Sequence, residues 1–227
     1  SLALAGEQTA NSLRMNLKLF SAGATAFPPV RKYQKSHKER DLKSVDDMRF
    51  VEKELFRQIK EGDIILLSMR MPYHFGGVYY AYLSSELRFI SEDGSFDSQE
   101  NSFKNWGLAV VNLAEFAQKK GAKVIIQTPT PEWENQYRNP RCSTLDKQWF
   151  NSLAKINCQI QSNFFIDKET GLYNHIFEKL NQLSRSHENI YLFDTYKIVC
   201  PDSTCSFTED GIDIYEDHQH IMHEWAR

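Results

Sequence analysis

Apolar positions along the chain form two recurring patterns, short continuous runs and longer stretches with helical spacing. Four short runs predict strands, over residues 2–5, 63–69, 123–128 and 189–194. Within the second run, Ile64–Leu67 has no polar interruption, which is typical of a strand buried on both faces of a sheet.

Between these runs, apolar residues recur every three or four positions, which predicts amphipathic helices. The four stripes are Met48, Val51, Leu55 and Ile59; Phe103, Trp106, Val110, Leu113 and Ala117; Leu145, Trp149, Leu153, Ile156 and Ile160; and Leu172, Ile176, Leu180 and Leu183. Strands that alternate with helices predict an α/β fold, with a mostly parallel sheet covered by helices on both faces.

A basic segment interrupts this alternation between the first two predicted strands. Residues 31–40 contain five lysines or arginines and few apolar residues, so we expect a solvated loop. Contact of this segment with an anionic membrane or glycan is the alternative.

Length and composition fit a single globular domain over residues 1–227. The chain is 41% apolar, 13% aromatic and 25% charged, enough to bury a full core. Its formal net charge of -3 disfavours nucleic acid as a partner, because such binders present a cationic surface. No apolar run approaches the roughly 18 residues of a spanning helix. The chain opens on an apolar run at Leu2 with no polar lead-in, which leads us to expect that its first strand was cut from a longer polypeptide.

Four cysteines allow three pairings. Cys200 and Cys205 bracket a turn-rich Pro-Asp-Ser-Thr spacer, which predicts a disulfide and hence an oxidising compartment. Buried free thiols are the alternative. Zinc is disfavoured, because Cys142 and Cys158 do not form a second comparably spaced pair, and their own pairing stays open.

In α/β sheets, ligands bind at the carboxyl ends of the strands. Two polar loops follow predicted strands, and a third polar loop lies near the C-terminus. Residues 6–12 form a glycine turn that leads into a helix, whose first amides could stabilise an anion. Residues 70–77 are rich in groups that bind sugars or carbonyls, and residues 215–220 read Tyr-Glu-Asp-His-Gln-His.

The last loop contains an Asp-x-x-His pair, Asp217 and His220. Such a carboxylate can accept a hydrogen bond from Nδ1–H of the imidazole while Nε2 faces a cleft, which makes the histidine a general base. We expect His218 to point away from that cleft. One alternative is that His218 and His220 are metal ligands, but no third ligand stands out in the sequence. The other alternative is a solvated polar turn.

The order of strand, glycine turn, helix and distant C-terminal Asp-x-x-His resembles the SGNH (GDSL-like) esterase superfamily. More narrowly, the chain is similar to the SGNH domain that follows the membrane acyltransferase-3 domain in O-acetyltransferases of lipopolysaccharide O-antigen and related glycans. This resemblance implies a single-domain, flavodoxin-like sandwich.

Four stretches between residues 4 and 221 carry the resemblance. Residues 4–12, Leu-Ala-Gly-Glu-Gln-Thr-Ala-Asn-Ser, are similar to the family's nucleophile block, Gly-Asp-Ser-His-Ala-Asn. Residues 27–30, Phe-Pro-Pro-Val, resemble its Cys-Pro-Pro-Leu turn, and residues 63–70 resemble its central strand ending in an arginine. Residues 200–221 resemble its terminal block and are the most specific match.

The chain departs from the family at the nucleophile. Glu7 and Gln8 stand where the family has Asp and its nucleophilic Ser, and an amide cannot attack an acyl carbon. Thr9 stands where the family usually has His, so it offers a replacement hydroxyl one residue out of register. Downstream, Met222 and Trp225 stand among positions where the family tends to have Ser and Gly-Ala.

The resemblance implies roles for individual residues in an acyl-transfer or esterase reaction. His220 is the general base and acid, and Asp217 orients it. Backbone amides near Gly6, together with Asn11, help to bind an oxyanion or substrate. Arg70 binds the acceptor sugar or polarises the acyl carbonyl.

The resemblance also implies partners and a location. They are a surface glycan as acceptor, an acyl donor and the membrane acyltransferase domain of the parent chain, in a periplasmic or other extracytoplasmic setting. No cofactor, metal or nucleic acid is expected. A second hypothesis follows from Gln8: a catalytically silent domain that binds a glycan or presents it to the membrane domain.

Overall fold

The computed structural model describes residues 11–12, 15–18, 26–34, 37–75, 87–91, 93–132, 159–161 and 173–215. They belong to two compact units. The sheet unit comprises residues 21–129 and 167–195. The terminal unit comprises residues 1–20, 130–166 and 196–227.

The regular elements are numbered in chain order among the described residues. The strands are β1 Lys32–Gln34, β2 Ile64–Leu67, β3 Leu87–Ile90, β4 Phe96–Asp97, β5 Lys123–Gln127, β6 Gln159–Gln161, β7 Ile190–Phe193, β8 Thr204–Ser206, β9 Thr208–Glu209 and β10 Ile212–Asp213. The helices are α1 Lys38–Gln58, α2 Met71–Phe75, α3 Gln99–Lys119, α4 Asn174–Ser186 and α5 Thr195–Val199, with a 3-10 turn at Pro201–Ser203.

A parallel sheet organises the sheet unit, in the order β2-β5-β7. Its register aligns Ile65 with Val124 and Val124 with Ile190, so apolar side chains of the three strands share one face. All three of these residues are at most 8% exposed. The predicted parallel sheet and its three described strands are therefore confirmed.

Helices α3 and α4 supply the apolar residues that cover this face. Trp106, Val110 and Leu113 on α3 and Ile176 and Leu180 on α4 are almost fully buried and belong to one core with the sheet. They include members of two stripes predicted from helical spacing, so the α/β fold class is confirmed.

The ends of α3 follow from local chemistry. Ser98 is its N-cap, and its side chain accepts a hydrogen bond from the backbone N–H of Asn101 at 3.0 Å. After the helix, Gly121 has φ +74, a left-handed conformation that suits glycine. The side chain of Asn189 then donates to the carbonyl oxygens of Ala114 and Ala122, at 2.9 and 3.0 Å, and so ties the helix to the approach to β7.

Two expectations about individual segments are wrong. Ile64 and Leu66 are about half exposed, so β2 buries one face rather than two. The basic segment over residues 31–40 is not a loop throughout. Its backbone forms β1, which pairs antiparallel with β3, and its end begins α1.

A disulfide and small antiparallel pairs characterise the described part of the terminal unit. Cys200 and Cys205 are bonded, which confirms the predicted pair. Strand β8 includes Cys205 and pairs with β6, where Ile160 lies, so the helical stripe predicted to end at Ile160 is wrong at that residue. Strands β9 and β10 form a hairpin around Asp210 and Gly211, which both have positive φ, as tight hairpin turns require.

Candidate active site

The carboxyl ends of parallel strands meet at one edge of a sheet, where α/β proteins bind ligands. At this edge of the sheet unit, β2 is followed by residues 68–70, β5 by Thr128, and β7 by Asp194 and Thr195. All but Met69 are polar. They follow three different strands, and because these strands are paired side by side, the chain leaves all three at the same edge of the sheet.

Arg70 lies at this edge, three residues after the end of β2. The backbone N–H of Met71 donates to the carbonyl oxygen of Met69 at 3.0 Å, so Arg70 is the centre of a tight three-residue turn. The fully buried Met71 and the buried Phe75 hold the following helix α2 in the core. The Arg70 side chain is half-buried, a position suited to a binding group on a rigid support.

Two threonines fix the ends of β5 and β7. Thr195 donates its hydroxyl to the carbonyl oxygen of Thr128 at 2.8 Å, and its backbone N–H donates to Thr128 Oγ1 at 3.1 Å. The backbone N–H of Thr128 donates to the carbonyl oxygen of Phe193 at 2.9 Å. Both threonine side chains are buried, so these bonds form in a low-dielectric environment.

Gln127 is a polar residue at this edge that sequence reasoning missed. It is the last residue of β5 and is only 7% exposed. Its Oε1 has no hydrogen-bond partner among the residues that the structure describes. A buried amide oxygen of this kind can accept a hydrogen bond from a hydroxyl or a cation. The available signal was the polar residue that ends the apolar run 124–126.

Two histidines lie beside the helix that follows Arg70. His74 is in α2 and is 4% exposed, while His175 is in α4. A ring nitrogen of His175, Nε2, lies 3.3 Å from the carbonyl oxygen of Phe75. The Phe75 ring packs edge-on against Phe103 at 4.7 Å between centroids. These contacts of His175 and Phe75 fix α2 to the core.

The terminal unit contains a second anchored segment, immediately before the predicted Asp-His block. Tyr215 is 3% exposed and its hydroxyl donates to the carbonyl oxygen of Pro131 at 2.8 Å. Its ring lies 6.3 Å from that of Phe207 in a T-shaped arrangement. The preceding residue, Ile214, donates its backbone N–H to the carbonyl oxygen of Phe207 at 2.8 Å.

Three ionisable groups of the described residues have shifted pKa values. Burial raises the pKa of Tyr196, so its hydroxyl stays protonated at ordinary pH. Burial also raises the pKa of Glu52 on α1, against the opposing charge of Arg49. Hydrogen bonds from the backbone and side chain of Ser95 lower the pKa of the exposed Asp93. Tyr196 alone among these three adjoins the strand-end residues, since it directly follows Thr195.

Most of the site residues named from the sequence lie outside the described residues. These are Gly6, Glu7, Gln8, Thr9, Asp217, His218 and His220. Asn11 is described, as an exposed residue in helical conformation. The functional roles of all these residues, and that of Arg70, stay predictions.

The described residues contain no group of three or more His, Cys, Asp or Glu side chains arranged to hold a metal ion. Among the helices in the described part of the chain, none has the length and apolar character needed to cross a membrane.

Comparison with known proteins places the chain in a family. No curated protein and no solved structure matches it significantly. A family model described as the SGNH domain fused to AT3 domains matches residues 3–227. That match includes the edge at Arg70, the disulfide segment and the Asp217–His220 block. The chain therefore belongs to the family of SGNH domains that are fused to AT3, or acyltransferase-3, domains.

Proposed function

We propose that this domain carries out SGNH-type acyl transfer, most simply of acetyl groups, or ester hydrolysis on a cell-surface glycan, as part of a membrane O-acyltransferase. The observation that carries this proposal is the family match over residues 3–227, which spans both the nucleophile block and the terminal block.

In this proposal, the His220 imidazole moves the proton and Asp217 accepts its Nδ1 hydrogen bond. Backbone amides near Gly6, with Asn11 beside them, stabilise the oxyanion that forms at the acyl carbon. Arg70 binds the acceptor sugar or polarises the acyl carbonyl. A guanidinium suits either task, because it offers several donors in a fixed plane.

The family match supports the membrane partner in this proposal. The AT3 domain of the parent polypeptide is the membrane partner, and the acceptor is a surface polysaccharide such as lipopolysaccharide O-antigen. The location is periplasmic or otherwise extracytoplasmic. The Cys200–Cys205 bond supports this location, because such bonds persist in oxidising compartments.

A second candidate function rests on one residue. Gln8 occupies the nucleophile position, and its amide cannot form an acyl-enzyme. The domain would then bind the glycan and present it to the AT3 domain without reacting itself.

Hydrolysis of a small acetyl ester separates the two candidates. We expect the isolated domain, without the membrane domain of the parent protein, to show near-background hydrolysis, and Gln8→Ser to gain activity. Thr9→Ala in the unmodified chain is the control. If the unmodified chain is active and Thr9→Ala abolishes that activity, Thr9 is the nucleophile. If Gln8→Ser folds normally and gains nothing, the silent binding domain replaces the enzymatic proposal.

A further inference from the structure

Tyr215 is the last residue that the structure describes before the Asp217–His220 block, and it is fixed in three ways. Its hydroxyl donates to the Pro131 carbonyl oxygen at 2.8 Å, its ring packs on Phe207, and its residue is 3% exposed. Burial of the ring and the hydrogen bond of the hydroxyl together fix the position and the orientation of such a tyrosine.

The segment that leads to Tyr215 is itself constrained. The Cys200–Cys205 disulfide closes its first turn, and β8 pairs with β6. The hairpin of β9 and β10 follows, and the Ile214 backbone N–H binds the Phe207 carbonyl oxygen at 2.8 Å. Several independent bonds therefore fix the backbone up to Tyr215.

The remaining distance to the proposed dyad is short. Asp217 follows Tyr215 by two residues, and a chain spans at most ~3.5 Å per residue, so the two Cα atoms are within about 7 Å. A shift of Tyr215 would therefore also shift Asp217. A displacement of about 1 Å at a catalytic group can lower the reaction rate by about 10²-fold.

We propose that Tyr215 is a positioning residue, whose hydrogen bond to Pro131 sets the location of Asp217 and His220. This inference rests on the proposed function, because it assigns Tyr215 to the same Asp-His pair. Tyr215 acts through the backbone and does not touch the reacting atoms.

Tyr215→Phe tests the inference, because it removes the hydroxyl and keeps the ring. We expect hydrogen exchange of the amides in residues 216–221 to become about 10-fold faster, as expected for the loss of one buried hydrogen bond. Exchange in β5 should not change. Tyr173→Phe is the matched control, because Tyr173 is also buried, at 1% exposed, but belongs to the sheet unit. It should leave residues 216–221 unaffected.

A spectroscopic readout separates positioning from general stability. In a formed dyad, the Nδ1 proton of His220 is hydrogen-bonded to Asp217 and gives a protected NMR resonance, assigned by its loss in His220→Gln. We expect this resonance in the unmodified chain and in Tyr173→Phe, and its loss by exchange in Tyr215→Phe.

The outcomes are distinct. If the resonance and the exchange of residues 216–221 in Tyr215→Phe match those of the unmodified chain, Tyr215 does not position the pair. If Tyr215→Phe unfolds the whole domain, its role is structural and the inference is also wrong. If the unmodified chain lacks the resonance, the dyad itself is absent, which contradicts the proposed function and this inference together.

Discussion

The hydroxyl of Thr195 donates to the carbonyl oxygen of Thr128 at 2.8 Å, across the ends of two neighbouring parallel strands. The Thr195 backbone N–H returns to Thr128 Oγ1 at 3.1 Å, so the two residues are joined in both directions. The parallel pairing of β5 with β7 ends at Gln127 and Phe193, and the bonds between Thr128 and Thr195 extend the hydrogen bonding beyond that point. Gln127 directly precedes Thr128, so it lies next to this pair of hydrogen bonds.

Thr195→Val tests the importance of this pair. Valine keeps the side-chain shape but loses the hydroxyl, which leaves a buried carbonyl oxygen of Thr128 without its donor. We expect the free energy of unfolding to fall by about 1–3 kcal/mol in urea titration. Thr195→Ser retains the hydroxyl and should cost clearly less. Equal stabilities of Thr195→Val and the unmodified chain would contradict this account of the edge.

Asn189→Ala should also be destabilising, because its amide bridges Ala114 and Ala122 at the end of α3. The loss leaves two backbone acceptors without this donor, and we expect a cost of about 1–3 kcal/mol by the same titration. Asn181→Ala removes an exposed asparagine on α4 and is the control. A similar small effect of both substitutions would show that the bridge does not contribute to stability.

The disulfide is testable by peptide mapping after alkylation without reductant. We expect Cys200 and Cys205 to remain unlabelled. Replacement of both by Ser should lower stability by ~2 kcal/mol, as the closure entropy of so short a loop implies. Labelling of both thiols in the folded chain would contradict the bond and weaken the argument for an oxidising compartment.

Glu52 gives a pH-dependent prediction. Burial raises its folded-state pKa above the ordinary 4.5, so its contribution to stability is present at low pH and is lost as pH rises through that raised pKa. Glu52→Gln should therefore be more stable than the unmodified chain at neutral pH, with a difference that shrinks as pH falls through the raised pKa and is lost below about 4.5. Thermal melts across pH check this.

The sequence predicted the sheet unit well because its signals are local and periodic. Continuous apolar runs locate β2, β5 and β7, and spacing of three and four locates the buried face of α3. The disulfide was predictable for the same reason, since a short turn-forming spacer separates Cys200 from Cys205.

The failures occurred where tertiary contacts determine the structure. β1 lies in a basic segment and is a strand because it pairs with β3, which is distant in sequence. Gln127 looked like an ordinary end of a strand, and only its burial marks it as a candidate binding group. Apolar character alone could not predict that Ile64 stays half exposed beside the buried Ile65.

Ester hydrolysis by Gln8→Ser, compared with Gln8→Ser carrying His220→Ala, tests the central claim most directly. The serine supplies the missing nucleophilic oxygen, so we expect hydrolysis of a small acetyl ester to rise about 10²-fold or more over the unmodified chain. Adding His220→Ala should return the rate to that of the unmodified chain, because the serine then lacks its base. Equal rates in Gln8→Ser with and without His220, in chains shown to be folded, would contradict the proposed Asp217–His220 active site.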